Sequence, residues 1–594
     1  MSSTFDRAWW KSAVVYQIYP VSFFDSNGDG LGDLNGITSK LDYLKDLGVD
    51  VLWLSPIYSS PMADMGYDIS DYRNIDPRYG TLEDWDRLLK GVHDRGMKLV
   101  MDLVVNHTSD EHEWFKKSRA GGKINNPMRD WYIWRPPKYD AQGNRQPPNN
   151  WKSIFQGSAW EYDEPSDEYY LHLYVTKQPD LNWENPKVRE AVWDIMNFWI
   201  SRGCDGFRMD VINLISKVPG FPDAPITEPA ATYQSAFMYY VNGPRVHEYL
   251  KQMNTEVLSK HNLMTVGETP FTNDPNQLAP YVLPISKELN MVFQFQLMHI
   301  DSPHSSGSDT EPYKNDPLVW TEWKLNEMKT IVETWQTFKR DEGYWNAIFI
   351  ENHDQPRSVS RFGNDSVEWR TISAQLLAIF QITQTGTLYV YQGEEIGMKN
   401  FPRSWPIEEY KDVATINYWN LILEQRKKES DGKEVDMSDV LDNLSKKARD
   451  HSRTPIQWDA SSHAGFTTGT PWMRVNDDYA DSWNASVQAK DEASVLNFWK
   501  RALAIRKKHE VLVYGDFRII SFEDQQVFAY TRSLGNTTAL VLLNFKETAI
   551  TFPLDEVKRF DGFKFVLGNH PSEKELPSNS VVLKGYEGKV YIKS

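Results

Sequence analysis

"CDGFRMDV", residues 204–211, follows directly on "NPKVREAVWDIMNFWISRG", residues 185–203. The first is short and largely apolar up to its acidic end, the pattern of a strand covered on both faces. The second is amphipathic, with Pro186 where the first residue of a helix belongs. The same pairing recurs through the first 400 residues, in "VVYQIYPVSF" (14–23), "VDVLWLSPI" (49–57), "MKLVMDLVV" (97–105), "NLMTVGE" (262–268), "ELNMVFQF" (288–295), "WNAIFIENHD" (345–354) and "GTLYVYQGEE" (386–395). Helical stretches lie between these runs, one of them "TLEDWDRLLKGVHDRG", with Thr81 as cap, Asp84 in the first turn and Gly96 beyond the end. Eight strand-plus-helix units predict an α/β fold, a (β/α)₈ TIM barrel. An open doubly wound sheet would want a Gly-rich phosphate turn after its first strand, and none is there.

Working outward, one spacing is abnormal. Nearly a hundred residues separate "DLVVNH" from the fourth strand, among them the Pro/Asn/Trp-rich "NNPMRDWYIWRPPKYDAQGNRQPPNNW". That is too long for an ordinary βα loop. We read residues 107–180 as an inserted B domain after strand three, between barrel parts 1–106 and 181–515, with a polar excursion at about 398–460 after strand eight. From about 516 to 594 the pattern alternates with tight turns, as in "QVFAYTRSLGNTTALVLLNF", which predicts a C-terminal antiparallel β domain.

Composition narrows the function. The chain of 594 residues is 40% hydrophobic and 25% charged, as a soluble globular enzyme is. A formal charge of −17 argues against nucleic acid or an anionic membrane as partner. The 23 Trp and 13% aromatics exceed what a core needs and suit stacking on sugar rings. No run approaches the roughly 20 apolar residues of a membrane helix. "MSSTFDRAWWKSAVV" has no apolar secretory core, and the single Cys204 allows no internal disulfide. We expect a cytoplasmic monomer that meets a small-molecule substrate, with no nucleic-acid or membrane partner.

Reactive residues of such a barrel come from the C-terminal ends of its strands. Strand three offers Asp102 and His107, and strand four offers Arg208 and Asp210 on one face. Strand five offers Glu268, and strand seven offers His353, Asp354 and Arg357. A lone strand-end Asp caps the next helix, and Arg208 with Asp210 could be a structural ion pair. Several carboxylates ending neighbouring strands are harder to explain that way, because together they raise one another's pKa. Zinc is disfavoured, since the two histidines lie on different strands without i, i+4 spacing.

"DLVVNH", "GFRMD", "GE" and "NHD", in that order, resemble the motifs of the α-amylase-type glycoside hydrolases. "DSNGDGLGDLNGI", "ADMGYDISDY" (63–72) and "RDHSRTPIQWD" (449–459) resemble the α-glucosidase branch, which holds oligo-1,6-glucosidases, fungal isomaltases and maltases, sucrose isomerases and trehalose synthases. The likeness runs from about Trp9 into the C-terminal β domain and implies the same three parts. It implies Asp210 as nucleophile, Glu268 as acid/base and Asp354 as transition-state stabiliser of a retaining α-glucosidase. On that reading Arg208 holds Asp210 ionised, while the surroundings of Glu268 keep its proton on. The resemblance further implies that Asp64, Tyr67, His107, His353 and Arg449 grip a terminal glucose, Arg449 pairing with Asp64 to close the pocket for exo-action.

"DSNGDGLGD", residues 25–33, starts like an EF-hand, but position twelve is Gly36 rather than a bidentate Glu, and a strand-like run precedes it. The resemblance implies structural calcium there, on Asp25, Asn27, Asp29, Asp33 and the Leu31 carbonyl. Val211 after the nucleophile is similar to oligo-1,6-glucosidases and isomaltases, where maltases carry Thr or Ala. It implies α-1,6 cleavage, with sucrose a further substrate, and an α-1,4-preferring maltase as the alternative. Sucrose isomerases carry an Arg-rich loop after strand six, and "QFQLMHIDSPHSSGSDTEPY" (294–313) has no arginine. A transporter heavy chain, the alternative from another class, would have lost catalytic carboxylates and gained a membrane helix.

Overall fold

All eight apolar runs fold as strands in the computed structural model, which describes residues 7–120, 126–303, 318–430, 434–553, 562–571, 576 and 580–594. They are β1 (Val14–Ile18), β2 (Val51–Leu54), β3 (Lys98–Val104), β4 (Gly206–Asp210), β5 (Met264–Glu268), β6 (Met291–Phe293), β7 (Ala347–Ile348) and β8 (Thr387–Tyr391). Their hydrogen-bonded order is β6-β5-β4-β3-β2-β1-β8-β7, with each of these pairs parallel, and β6 packs beside β7 to complete the ring. The strands are shorter than the runs because the apolar pattern continues into the loops at the barrel mouth. Residues 304–313 of the stretch after β6 lie outside the described residues.

The helices begin where their signals place them. Thr81 and Asp84 form a reciprocal capping box at Leu82–Asp94, whose buried Trp85, Leu88, Leu89 and Val92 keep the i, i+3, i+4, i+7 spacing of one face. Asn185 caps Pro186–Ser201 through the Lys187 N–H.

Between β3 and β4 the chain forms a helix, Glu113–Ala120, and a three-stranded antiparallel sheet of Trp134–Arg135, Glu168–Leu171 and Trp160–Asp163. His107 bridges to Asp180 where this piece leaves and rejoins the barrel. Its core of Trp151, Trp160, Leu171 and Leu173 includes Val211 and Leu214, so the insert packs directly on the chain that follows β4. After β8, the polar excursion is helical, Val413–Glu429 and Ser438–Lys447, around a small apolar core with Phe401, Trp405, Tyr418 and Leu444. The last part is a five-stranded sheet that begins at Asp516–Ile519 and pairs antiparallel throughout, beside a two-stranded one.

Candidate active site

Arg208 is the residue around which the site is built. It lies in register with Asp102 on β3 and two residues before Asp210, so all three side chains share the inner face. Its Nη1 donates to Asp102 at 2.9 and 3.0 Å and to Asp210 Oδ1 at 2.9 Å, while Nη2 meets Glu268 Oε2 at 2.7 Å. One guanidinium therefore ties together carboxyl groups from three adjacent strands.

Burial pushes Asp210 well above the usual carboxylate range, Arg208 opposes this and the neighbouring Glu268 adds to it. Asp102 is pushed up to about 6 by burial, again against Arg208. Burial thus outweighs the share of one guanidinium that Asp210 receives, and its carboxyl sits above the usual range where Arg208 alone would hold it low.

Val211 turns the chain at the end of β4. Its φ of +36° and ψ of +42° are left-handed, a conformation that costs a β-branched residue about 1–3 kcal/mol. The turn aims the Val211 N–H at Glu268 Oε2, 3.1 Å away.

At the end of β7, Asp354 meets two arginines. Its Oδ1 accepts from Arg449 Nη1 at 3.0 Å and from Arg453 Nη2 at 2.7 Å, and Oδ2 lies 3.2 Å from His353 Nε2. Burial would raise this carboxyl, but Arg449, His353 and Arg453 outweigh it and hold it far below the usual range. Behind the arginines, Asp412 Oδ2 takes Arg449 Nη2 at 2.6 Å and Arg453 Nη1 at 2.7 Å. Arg449 also reaches Asp64 at 3.6 Å, and Asp64, buried, is pushed up to about 7. Arg357 does not enter the mouth. It is fully buried beneath, on Glu351 at 2.7 Å and the Gln392 carbonyl.

The far wall is aromatic. His353 stacks between Tyr67, with centroids 5.3 Å apart, and Tyr19, 5.9 Å away. Gln17 Nε2 is 2.7 Å from His353 Nδ1, which assigns the proton to Nε2, 2.8 Å from the Tyr67 hydroxyl. Asn106 likewise donates to His107 Nδ1, so His107 Nε2–H donates to the Tyr67 carbonyl at 3.1 Å. Burial lowers His353 to about 3 and His107 to about 4, so both are neutral donors. Gln178 joins this wall by donating to Asp64 Oδ2 at 3.0 Å.

These side chains line a pocket of roughly 200 Å³. Asp64, Tyr67, His107, Asp354 and Arg449 line it together with Asp210 and Glu268, and Val211, Pro270, Phe271 and Phe295 supply apolar wall. The volume is below the ~300–1,000 Å³ of pockets for drug-sized ligands and suits one sugar ring.

Residues 17–515 match the description "Alpha amylase, catalytic domain". The chain belongs to the alpha-amylase family. Among curated members, it is 49% identical to an oligo-1,6-glucosidase of Parageobacillus thermoglucosidasius over 590 residues, covering 99% of each chain. An alpha-glucosidase of Schizosaccharomyces pombe is 50% identical over 547 residues, 92% of this chain and 91% of the other. A crystal structure of trehalose-6-phosphate hydrolase from Bacillus licheniformis superposes with a TM-score of 0.89 at 42% identity, covering 99% of this chain and 100% of that one. This alpha-amylase member is thus similar along its whole length to named glycoside hydrolases.

The loop expected to hold calcium is closed by hydrogen bonds of its own. Asp25 Oδ1 accepts from the Asn27 and Gly28 N–H groups, and Oδ2 accepts from Gly30 N–H and the Thr467 hydroxyl. Burial raises Asp25, yet these donors more than offset it and hold the carboxyl below its ordinary value. Asp33 caps the helix Leu34–Ser39 through the Gly36 N–H and takes Ser26 as well. Asn27 and Asp29 each accept the N–H two residues on, those of Asp29 and Leu31. Among the described residues, no group of three or more His, Cys, Asp or Glu side chains is arranged to hold a metal ion.

Sequence reading missed Gln178, Asp412 and Arg453. Arg453 carried a signal, lying four residues after Arg449 inside a motif already singled out. Asp412 caps the helix Val413–Glu429, accepting from the Ala414 and Thr415 N–H groups.

Proposed function

We propose that this chain is a retaining, exo-acting α-glucosidase that favours terminal α-1,6 links of short isomaltose-type oligosaccharides. The observation that carries retention is that Asp210 and Glu268 both engage the one Arg208 guanidinium, at 2.9 and 2.7 Å, which brings the two carboxyls close together. An inverting enzyme keeps its two carboxyls about 6.5–9.5 Å apart to seat a water, whereas a retaining one brings them to about 5–5.5 Å.

A bound glucosyl unit inserts its anomeric carbon between the pair. Glu268 then gives a proton to the leaving oxygen, and Asp210, ionised and held by Arg208, attacks the anomeric carbon. Water, deprotonated by Glu268, releases the sugar from Asp210 in the second step. Asp354 opposes the oxocarbenium charge, and its two arginines keep it ionised throughout. Exo-action is supported by Arg449, which meets Asp64 and Asp354 on the pocket wall and would block a longer chain there.

Support for α-1,6 selection comes from the apolar wall. Val211, Pro270 and Phe271 present carbon where an α-1,6 link adds a methylene. A phosphorylated aglycone is disfavoured, because Arg449 is the sole Lys or Arg on the pocket wall among the described residues, and three carboxylates already engage it. Sucrose is the secondary substrate on this reading. One chain supplies the whole pocket, consistent with a monomer, and among the described residues no helix is long and apolar enough to cross a membrane. A lone buried Cys204, pushed up to about 12 by burial, supports work in the cytoplasm.

Glucose release from isomaltose, maltose, sucrose, palatinose and trehalose tests the linkage. NMR of the first anomer formed tests retention. α-Glucose before mutarotation and isomaltose leading the panel are expected; initial β-glucose would overturn the mechanism.

A further inference from the structure

Asp412 lines no part of the pocket, yet its carboxylate is fully buried and spans the backs of two arginines that face it. Oδ2 takes three donors, Arg449 Nε at 3.1 Å, Arg449 Nη2 at 2.6 Å and Arg453 Nη1 at 2.7 Å. Oδ1 caps Val413–Glu429 through the Ala414 and Thr415 N–H groups, and the Asp412 N–H itself donates to Asp450 Oδ1. Every lone pair in the plane of the carboxylate is therefore used, and the group cannot turn. The far edges of the same arginines carry the site: both hold Asp354 Oδ1, Arg449 faces Asp64, and Arg453 Nε donates to the His353 carbonyl at 3.0 Å.

We propose that Asp412 is a positioning residue for sugar recognition, a fixed anion that sets both guanidiniums so that Arg449 closes the glucosyl end and Asp354 keeps Oδ2 for the sugar hydroxyls. The ring Asp354–Arg449–Asp412–Arg453 alternates charge. Without Asp412, two buried cations would compete for Asp354 and pull it from its place, while Arg449 would lose the two contacts, from Nε and Nη2, that fix its plane. Asp412 comes from the same excursion after β8 that carries both arginines.

Charge adds a second consequence. Asp64 is faced by Arg449 and Arg453, which favour its ionised form, and by Asp412 and Asp68, which oppose it, while burial does most of the raising. Removing the Asp412 charge moves the Asp64 titration to lower pH.

This rests on the reading of the pocket as a glucosyl site, which isomaltose hydrolysis and glucose inhibition by the wild type test by themselves. Asp412→Asn then separates the roles of the residue, since Asn caps a helix as well as Asp does but carries no charge. The expected result is a rise of about 10–100-fold in the glucose inhibition constant and in KM, the worth of one lost partner to a buried charge. The acid limb of 1/KM should also move to lower pH. Asp412→Glu, which keeps the charge and disturbs the cap, should retain glucose affinity better than Asp412→Asn. Wild-type glucose affinity and an unmoved limb in Asp412→Asn would overturn the proposal and leave Asp412 as a cap. Should Asp412→Asn not fold, Asp412→Glu decides alone: glucose affinity within about threefold of wild type supports the proposal, and a tenfold loss overturns it.

Discussion

Replacing Val211 by Thr tests the linkage preference with little else changed. The side chain is 6% exposed, lines the pocket at its apolar wall and packs in the core the insert shares with Leu214 and Tyr240. Thr is near isosteric and also β-branched, so the left-handed strain at φ +36° stays the same and drops out of the comparison. Two effects remain. A hydroxyl replaces a methyl in a buried place, at a stability cost of about 1–3 kcal/mol if nothing bonds it. Across the pocket the same hydroxyl offers the close second ring of an α-1,4 link a hydrogen bond, and denies the α-1,6 methylene an apolar contact. One such contact is worth about 1–3 kcal/mol, which is roughly a 5- to 150-fold change in relative kcat/KM. The assay is kcat/KM for isomaltose and for maltose in both proteins, expressed as their ratio. The ratio should move toward maltose in Val211→Thr, with Tm lowered modestly. An unchanged ratio, or a wild type that already prefers maltose, would refute the argument and leave Val211 to packing alone.

Asp210→Asn should abolish nearly all turnover while folding normally, whereas Glu268→Gln should lose less on aryl glucosides, whose leaving groups need little protonation; equal losses on all substrates would count against the assigned roles. Asp25→Ala should lower Tm even in excess chelator, because it deletes four donor contacts to a buried carboxylate, worth roughly 2 kcal/mol or more. A variant that matches wild type once calcium is stripped would show that Asp25 works only through an ion. His451 is buried, and burial lowers it to about 3 against ~6.5 when unfolded. The unfolded chain therefore takes up the proton first, so this part of the stability is full above pH ~6.5 and declines as pH falls toward the folded value, by about 2 kcal/mol between pH 7 and 5. Tm should drop over that range and drop less in His451→Gln; parallel pH profiles would contradict the linkage.

Strand periodicity is local, and so the barrel could be read from the chain alone. Alternate apolar runs with acidic ends gave β3, β4, β5 and β7, and period-two geometry put Arg208 and Asp210 on one face before any coordinates. The catalytic types at strand ends were legible for the same reason: the chain needs them where a strand stops. Only the tertiary structure decided the electrostatics. That Asp210 is pushed above the usual carboxylate range depends on burial, on Glu268 from the next strand and on Arg208 being divided among three carboxyls. None of these distances is encoded within a single segment. The left-handed turn at Val211 was equally invisible, because a β-branched residue there contradicts local preference and is held only by the insert packed upon it. Asp412 shows the limit most plainly. Its helix-capping role could be read from sequence, but its partners lie 37 and 41 residues away and meet it only when the chain after β8 folds back across the barrel mouth.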